Sequence, residues 1–123
     1  MADKIIPSLI LLTYRGKVLL MNKKNSAIDD EKHPWCFIGA VRQNNESFEK
    51  AISRRVESET GIKIGNIKHI SGFCYYAMLT DDNVNNMRRD ENQLLDFFKP
   101  MEVKKLMLTR STEEVFLKHF SLI

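Results

Sequence analysis

The sequence contains no apolar run long enough to cross a membrane. The N-terminal candidate extends from Ile5 to Thr13, is interrupted by Pro7, and falls short of the roughly 20 apolar residues that a membrane-spanning helix needs. No cleavage site of small residues follows this run, so we also expect no secretion signal. These absences predict a cytoplasmic protein without a membrane partner.

Cysteine is scarce, and its placement gives no spaced metal-binding motif. The two cysteines, Cys36 and Cys74, are far apart in the sequence, and each lies in an apolar, strand-like run. Such placement is typical of small buried side chains that pack in a core. We therefore expect two buried free thiols in a reducing compartment.

A large net charge is also lacking. The chain has 123 residues, of which 43% are hydrophobic and 28% are charged, and this composition suits one globular domain over residues 1–123. We find no repeat, linker or second domain in it. The net charge of +3 is compatible with phosphate-bearing ligands, but it is too small to indicate a nucleic-acid-binding surface by itself.

The most informative stretch of the sequence extends from Trp35 to Ile62. It indicates a short apolar strand, a polar loop and an amphipathic helix from about Phe48 to Thr60. Ser47 is the expected N-cap, and Gly61 stands where a helix-terminating glycine is expected. Apolar residues recur at helical spacing along this helix: Phe48, Ala51, Ile52 and Val56.

Three polar residues in the last turns of this helix fall inside or beside the apolar arc: Arg55, Ser58 and Glu59. We therefore expect all three to face the body of the protein. A carboxylate in that direction needs a partner, because an uncompensated buried charge costs several kcal/mol. For Glu59 the sequence offers two partners, a metal ion or Arg55 one turn earlier.

In register and spacing, this stretch resembles the Nudix hydrolase signature. That signature is a glycine, five residues, a glutamate, seven residues, and then Arg-Glu-aliphatic-any-Glu-Glu-any-Gly-aliphatic. The corresponding positions here are Ala40 in place of the glycine, then Glu46, Arg54, Val56, Glu59, Gly61 and Ile62. The preceding run from Trp35 to Ala40 is similar to the W-x-F-P-G-G run of the family.

Two departures from the signature change what the resemblance implies. Arg55 occupies the position of the glutamate after the arginine, and Ser58 occupies the first position of the Glu-Glu pair. In the family, these carboxylates bind divalent cations at a diphosphate, and only Glu59 of the three remains here. A guanidinium about 5 Å from a divalent ion would oppose it by up to several kcal/mol. We therefore expect a weak site for Mg²⁺ or Mn²⁺.

The resemblance also implies roles for residues outside the last helical turns. Glu91 lies in a polar segment where the family often has a further metal-binding or water-activating glutamate, so Glu59 and Glu91 are the candidate metal ligands and catalytic residues. A solvated run of charges is the simpler interpretation of that segment. Glu46 and Arg54 are expected to pair and, with Gly61, to support the loop and the helix.

Three residues are candidate substrate contacts: Arg55, Lys23 and Tyr76. Arg55 would contact phosphate as a fixed cation. Lys23 precedes a loop that lies near the substrate in the family, although lysines beside a hairpin are usually only solvated. Tyr75 and Tyr76 point to opposite faces if the segment is extended, so Tyr76 could stack on a base or be an ordinary strand residue.

The fold class that the resemblance implies is α/β, a Nudix-like α/β/α sandwich with a mixed β-sheet; the residue pattern alone indicates an α+β domain. The expected elements are a strand over residues 5–14, a turn at Arg15 and Gly16, a hairpin partner over Lys17 to Met21, a surface loop from Asn22 to Pro34, one or two strands with a break near Gly72, a polar loop from Asp81 to Asn92, a strand from Leu94 to Phe98, a short helix from Met101 to Leu106, and a C-terminal helix with a capping box that starts at Ser111.

Two functions of different class remain open. A Nudix-type hydrolase would cleave the diphosphate linkage of a nucleoside diphosphate derivative or nucleoside triphosphate by metal-assisted attack of water, weakly because of the substitutions. A Nudix-fold binding protein would pair Arg55 with Glu59 and bind a phosphorylated ligand or a partner protein without turnover. The register of the signature favours the enzyme, whereas its two substitutions favour loss of catalysis, and a fold alone cannot choose. The balance lies narrowly with the enzyme. The expected partner is a small nucleotide, and homodimer formation stays open.

Overall fold

The computed structural model describes residues 7–23, 34–88 and 93–123. Within these ranges, the elements in chain order are β1 (Ser8–Tyr14), β2 (Lys17–Lys23), β3 (Ile38–Ala40), α1 (Phe48–Thr60), β4 (Lys68–Ser71), β5 (Cys74–Met78), α2 (Asp81–Asn85), β6 (Gln93–Phe98), α3 (Pro100–Val103) and α4 (Arg110–His119), followed by a 3₁₀ turn over Phe120–Leu122. In this part of the chain, none of the helices has the length and apolar character that a bilayer crossing requires.

The strands form one mixed sheet, as expected. Its order is β4-β5-β1-β2-β6, and β3 pairs with the first residues of β1. β1 runs parallel to β5, whereas its pairings with β2 and β3 are antiparallel. A parallel pair needs a long connection between its strands, and here that connection contains α1.

Alternating side chains of the sheet contribute to two apolar cores. The core between the sheet and α1 includes Ile10, Leu12, Ile52 and Val56. The core on the opposite face, which includes residues of α3 and α4, contains Leu9, Leu11, Val103 and Phe116. Helices therefore cover both faces of the sheet, and the predicted α/β/α sandwich is confirmed.

The β1–β2 hairpin closes through a two-residue turn in which both residues have positive φ, 48° at Arg15 and 77° at Gly16. This backbone matches the twist of a hairpin and favours glycine at the second position. β2 is longer than predicted, because it pairs with β6 as far as Lys23. Asn22, predicted to begin a surface loop, is instead a buried strand residue, and residues 24–33 of that loop lie outside the described ranges.

Part of the predicted polar loop from Asp81 to Asn92 is a helix. Thr80 caps α2: its side chain accepts a hydrogen bond from the Asn83 N–H, and the Asn83 side chain accepts one from the Thr80 N–H. This reciprocal arrangement satisfies two backbone donors at a helix start, and acidic residues there are favoured by the helix dipole. The prediction of a continuous loop was therefore wrong for residues 81–85.

The remaining elements lie close to their predicted positions. The break at Gly72 separates β4 from β5, and β6 covers the strand predicted from Leu94. The short helix starts at Pro100 and ends at Val103, earlier than predicted. The N-cap of α4 is Thr109, two residues before the predicted Ser111: the Thr109 side chain accepts the Thr112 N–H, and the helix starts at Arg110. Both cysteines are free and partly buried.

Candidate functional site

Helix α1 positions the signature residues. It begins at Phe48 and ends at Thr60, as predicted, and the Ser47 side chain accepts a hydrogen bond from the Lys50 N–H at 3.1 Å. Its buried side chains are Ala51, Ile52, Val56 and Thr60. They hold α1 against the sheet and leave the polar residues of its last turns at the edge of that contact.

Arg54 ties α1 to the loop before it. Its Nε and Nη2 atoms donate to the two carboxylate oxygens of Glu46 at 3.0 and 3.1 Å, and Nη2 also donates to the Val41 carbonyl at 3.1 Å. The Gln43 N–H donates to the same carboxylate at 2.8 Å. The Arg54 hydrogen bond is the main reason that the pKa of Glu46 lies below its ordinary value. The pair that the resemblance implied is thus present, and it fixes the loop geometry.

Arg55 and Glu59 form an ion pair on the next face of α1. The Arg55 Nη2 atom lies 2.7 Å from Glu59 Oε1, with the arginine side chain 35% and the glutamate side chain 11% exposed. Both residues therefore face partly inward, as predicted for them. The sequence offered Glu59 two partners, a metal ion or Arg55, and in this structure Glu59 pairs with Arg55.

Ser58 does not face inward as we expected, because its side chain is exposed. Ala51, seven residues earlier and in nearly the same direction on the helix, is buried, whereas Ser58 near the end of α1 is not. A second arginine reaches this turn instead: Arg88 Nη2 donates to the Ser58 carbonyl at 2.6 Å, and the Arg88 N–H donates to the Thr60 carbonyl at 2.7 Å. These bonds satisfy carbonyls at the negative end of the helix dipole.

Gly61 permits this close approach of Arg88. Its φ of 77° is left-handed, and a Cβ placed on it would lie 3.3 Å from the Cβ of Arg88. A side chain at position 61 would therefore strain the helix end and displace the neighbouring segment. This supports the structural role that the resemblance implied for Gly61.

The segment that carries Arg88 is also held at its other end. The Tyr14 hydroxyl donates to Asp81 Oδ1 at 2.6 Å, and Arg15 Nη2 donates to the same oxygen at 3.0 Å. The Tyr14 hydrogen bond lowers the pKa of Asp81, and the Asp81 carboxylate raises the pKa of Tyr14. Contacts at both ends thus position residues 81–88 against the β1–β2 turn and the end of α1.

The capped helix, the Glu46–Arg54 pair and the glycine at the helix end belong to a stretch that a family model also matches, together with most of the chain. The model of the NUDIX domain matches residues 5–120. The chain belongs to the Nudix family. No curated protein matches it at a significant level.

Solved structures of Nudix proteins have the same fold at low sequence identity. A mutT/nudix family protein from Listeria innocua superposes with a TM-score of 0.75 at 19% identity, over 99% of this chain and 95% of that one. A MutT NUDIX hydrolase from Burkholderia pseudomallei gives 0.70 at 19%, over 92% and 95%. The NUDIX domain of Shewanella oneidensis NrtR, complexed with ADP ribose, gives 0.69 at 13%, over 98% and 89%.

The structure separates the other candidate site residues of this Nudix domain. Tyr76 lies on the sheet face that carries α4, whereas Arg55 and Glu59 belong to α1 on the opposite face. The backbone of Lys23 ends β2, but its side chain is outside the described part of the structure. Glu91 also lies outside the described residues. Roles for Lys23 and Glu91 are therefore proposals from the sequence.

Divalent metals are general cofactors of Nudix hydrolases, so we tested whether the described residues fit one. Among them, no group of three or more His, Cys, Asp or Glu side chains is arranged to hold a metal ion. Mg²⁺ prefers several hard oxygen ligands, and Glu59, the one signature carboxylate left at the ligand positions, pairs with Arg55. These residues alone do not fit a strong metal site.

A cavity of about 270 Å³ lies between the β4–β5 hairpin and α4. Its mostly apolar walls include Leu9, Phe73, Cys74 and Val115. Burial raises the pKa of the Cys74 thiol, which therefore stays protonated near neutral pH. The Phe73 ring also packs edge-on against Phe48, the first residue of α1, with centroids 6.4 Å apart. This contact links the cavity wall to the start of the signature helix.

Sequence reasoning missed Arg88, Tyr14 and Asp81 as parts of the site. Their side-chain hydrogen bonds join positions that are 30 or more residues apart, so no local pattern could reveal them. One local signal was available for the segment: Thr80 followed three residues later by Asn83 is compatible with a capped helix start.

Proposed function

We propose that this Nudix domain binds a nucleotide that contains a diphosphate linkage and hydrolyses that linkage slowly. The observation that supports the proposal is the Arg55–Glu59 ion pair, because it puts a guanidinium at a signature position that is otherwise a carboxylate. A guanidinium is suited to phosphate, since its N–H groups can donate to two oxygens at once. In this proposal, Arg55 contacts the diphosphate as a permanent cation.

Slow hydrolysis follows from the position of Glu59. We assign Mg²⁺ or Mn²⁺ to Glu59 of the signature and to Glu91, which the family resemblance adds to it. Any cation that binds Glu59 must compete with Arg55, and the arginine charge opposes the cation as well. The proposed metal site is therefore weak, and activity should depend on a high metal concentration.

The cavity beside Phe73 is the proposed place for the organic group of the substrate. Apolar walls with a few polar groups at the rim are typical of small-molecule sites. Its rim includes the hydroxyls of Ser71 and Ser111 and the ammonium group of Lys118. Lys23 remains a proposed phosphate contact, and ADP ribose, which is bound in the Shewanella oneidensis neighbour, is a reasonable first probe.

The same ion pair favours one alternative, a Nudix-fold protein that binds a nucleotide without turnover. If Arg55 holds Glu59 permanently, phosphate binding would persist while hydrolysis would not occur at any metal concentration. Nucleotide binding and hydrolysis must therefore be measured separately.

The test uses a panel of ADP ribose, ATP and GTP, with thermal shift for binding and phosphate or nucleoside monophosphate release for turnover. We expect stabilisation by at least one ligand in EDTA, and slow release that rises with millimolar Mn²⁺ and disappears in Glu59→Gln. Stabilisation without release at any Mn²⁺ concentration would support the alternative. Fast release at micromolar Mn²⁺, or no binding of any ligand, would contradict the proposal.

A further inference from the structure

Tyr76 lies in a second cavity, separate from α1. This cavity has a volume of about 560 Å³ and is lined by Asn66, Ile67, Lys68, Tyr76 and Met78. Its volume is within the range of small-molecule sites. It opens beside the free edge of the sheet, where β4 is the last strand.

Strand register explains why these side chains meet. Lys68 of β4 is directly opposite Tyr76 of β5 in an antiparallel pair, so their side chains are neighbours on one face of the sheet. Met78 is two residues further along β5, so it falls on the same face as Tyr76. Asn66 lies in the loop just before β4 and completes the lining. A ring, a thioether, an amide and an ammonium group are thus presented together.

Two features indicate that this surface is built for contact rather than for the core. The Tyr76 hydroxyl accepts a hydrogen bond from Thr13 Oγ1 at 3.4 Å, which restrains the ring while the residue stays partly exposed. Beside it, Met78 is 71% exposed, so its thioether is accessible next to the ring. Methionine and aromatic faces pack well against flat rings.

The charge at the cavity indicates which group the ring should carry. Among the described residues that line the cavity, Lys68 carries the one charge and none is an acid. A flat heteroaromatic ring that carries a phosphate would therefore stack on Tyr76 and Met78 while its phosphate pairs with Lys68. The Asn66 amide can donate to or accept from the edge of such a ring.

We propose that the Tyr76 cavity is a second ligand site, for an aromatic ring that carries a phosphate, and that it acts independently of Arg55 and Glu59. The proposal does not require the domain to hydrolyse anything. It gives Tyr76 a stacking role, which was the less favoured of the two interpretations of the sequence, at a site away from the signature helix.

The experiment titrates the full chain with AMP in EDTA and follows backbone amide shifts by NMR. AMP has no phosphoanhydride, so the proposed hydrolysis cannot interfere. We expect shifts at Lys68, Tyr76 and Met78, and weaker binding of adenosine or ribose 5-phosphate, each of which supplies only half of the contacts. Shifts that centre on the Phe73 cavity or on α1, or no binding, would overturn the proposal.

Matched surface variants separate specific binding from misfolding. Met78→Glu replaces the thioether on which the ring would stack with a carboxylate that repels the nearby phosphate, and we expect at least a tenfold increase in the Kd for AMP. Met101→Glu makes the same change at a side chain that is 76% exposed on α3, and should leave the Kd unchanged. An equal effect of both variants, or no effect of Met78→Glu, would contradict the proposal, and Arg55→Gln should not alter this site.

Discussion

Replacing Arg55 with glutamine should strengthen divalent-cation binding at Glu59. At 2.7 Å and an effective dielectric constant of about 20, the attraction between the two charges is about 6 kcal/mol before desolvation. The side chains are 35% and 11% exposed, so desolvation and screening reduce the net contribution to about 1–2 kcal/mol. A cation at Glu59 must overcome that contribution in the natural sequence but not in Arg55→Gln.

The expected effect is about a tenfold decrease in the Kd for Mn²⁺, since about 1.4 kcal/mol corresponds to a factor of ten. Loss of the arginine charge acts in the same direction. Calorimetric titration with Mn²⁺ measures this directly, and Glu59→Gln should remove the gain when it is combined with Arg55→Gln.

Helix α4 offers a matched control for this experiment. Arg110 and Glu114 form an ion pair with the same i, i+4 spacing, but their atoms are 3.5 Å apart and their side chains are 94% and 70% exposed. Arg110→Gln changes the net charge equally and should leave Mn²⁺ affinity unchanged. Equal affinities of Arg55→Gln and the natural sequence, or an equal gain in Arg110→Gln, would refute the competition between arginine and metal.

Three further predictions concern stability, measured by thermal or denaturant unfolding. The pKa of Glu46 is lowered in the folded protein, so its pairing with Arg54 stabilises the fold above the ordinary carboxyl pKa of 4.5, and this stabilisation is lost as the pH falls through the lower folded pKa. Glu46→Gln should therefore reduce the loss of unfolding free energy at acid pH. If the pH dependence of stability is the same in Glu46→Gln and the natural sequence, the role of the pair is contradicted. Gly61→Ala should lower the free energy of unfolding by about 1–2 kcal/mol, because Gly61 has a positive φ and lies close to Arg88. Gly65 has open space around it, so Gly65→Ala should change that free energy by no more than about 0.5 kcal/mol. Equal changes in the two variants would contradict the role of Gly61. Ile52→Ala removes a side chain that is 1% exposed under α1 and should cost about 2–5 kcal/mol, and a cost below about 1 kcal/mol would show that α1 does not depend on this contact.

Local signals in the sequence were sufficient for α1 and its surroundings. The cap at Ser47, the apolar spacing and the stop at Gly61 act within a few residues, so both ends of the helix could be predicted. The inward direction of Arg55 and Glu59 followed from helical geometry. The mixed sheet, by contrast, followed only from the family resemblance, because strand order depends on contacts between distant segments.

The errors have specific physical causes. Ser58 was predicted to face inward from its direction on the helix alone, but Ala51, in nearly the same direction, is buried while Ser58 near the helix end is exposed. Asn22 was assigned to a loop because a polar residue at a strand end resembles a loop start until its partner strand β6 is known. Arg88 could not be found, since its bonds to the end of α1 exist only after residues 81–88 pack there.

The position of β1 in the sheet has a consequence for biosynthesis. Leu9 pairs with Gly39 on one side and with Cys74 on the other, so this strand is complete only when residues far along the chain have joined it. Until residue 74 leaves the ribosome, a nascent chain exposes an open strand edge rich in leucine, and such edges recruit other chains. Co-translational aggregation should therefore be greatest for ribosome-bound fragments that contain β1 but stop before β5.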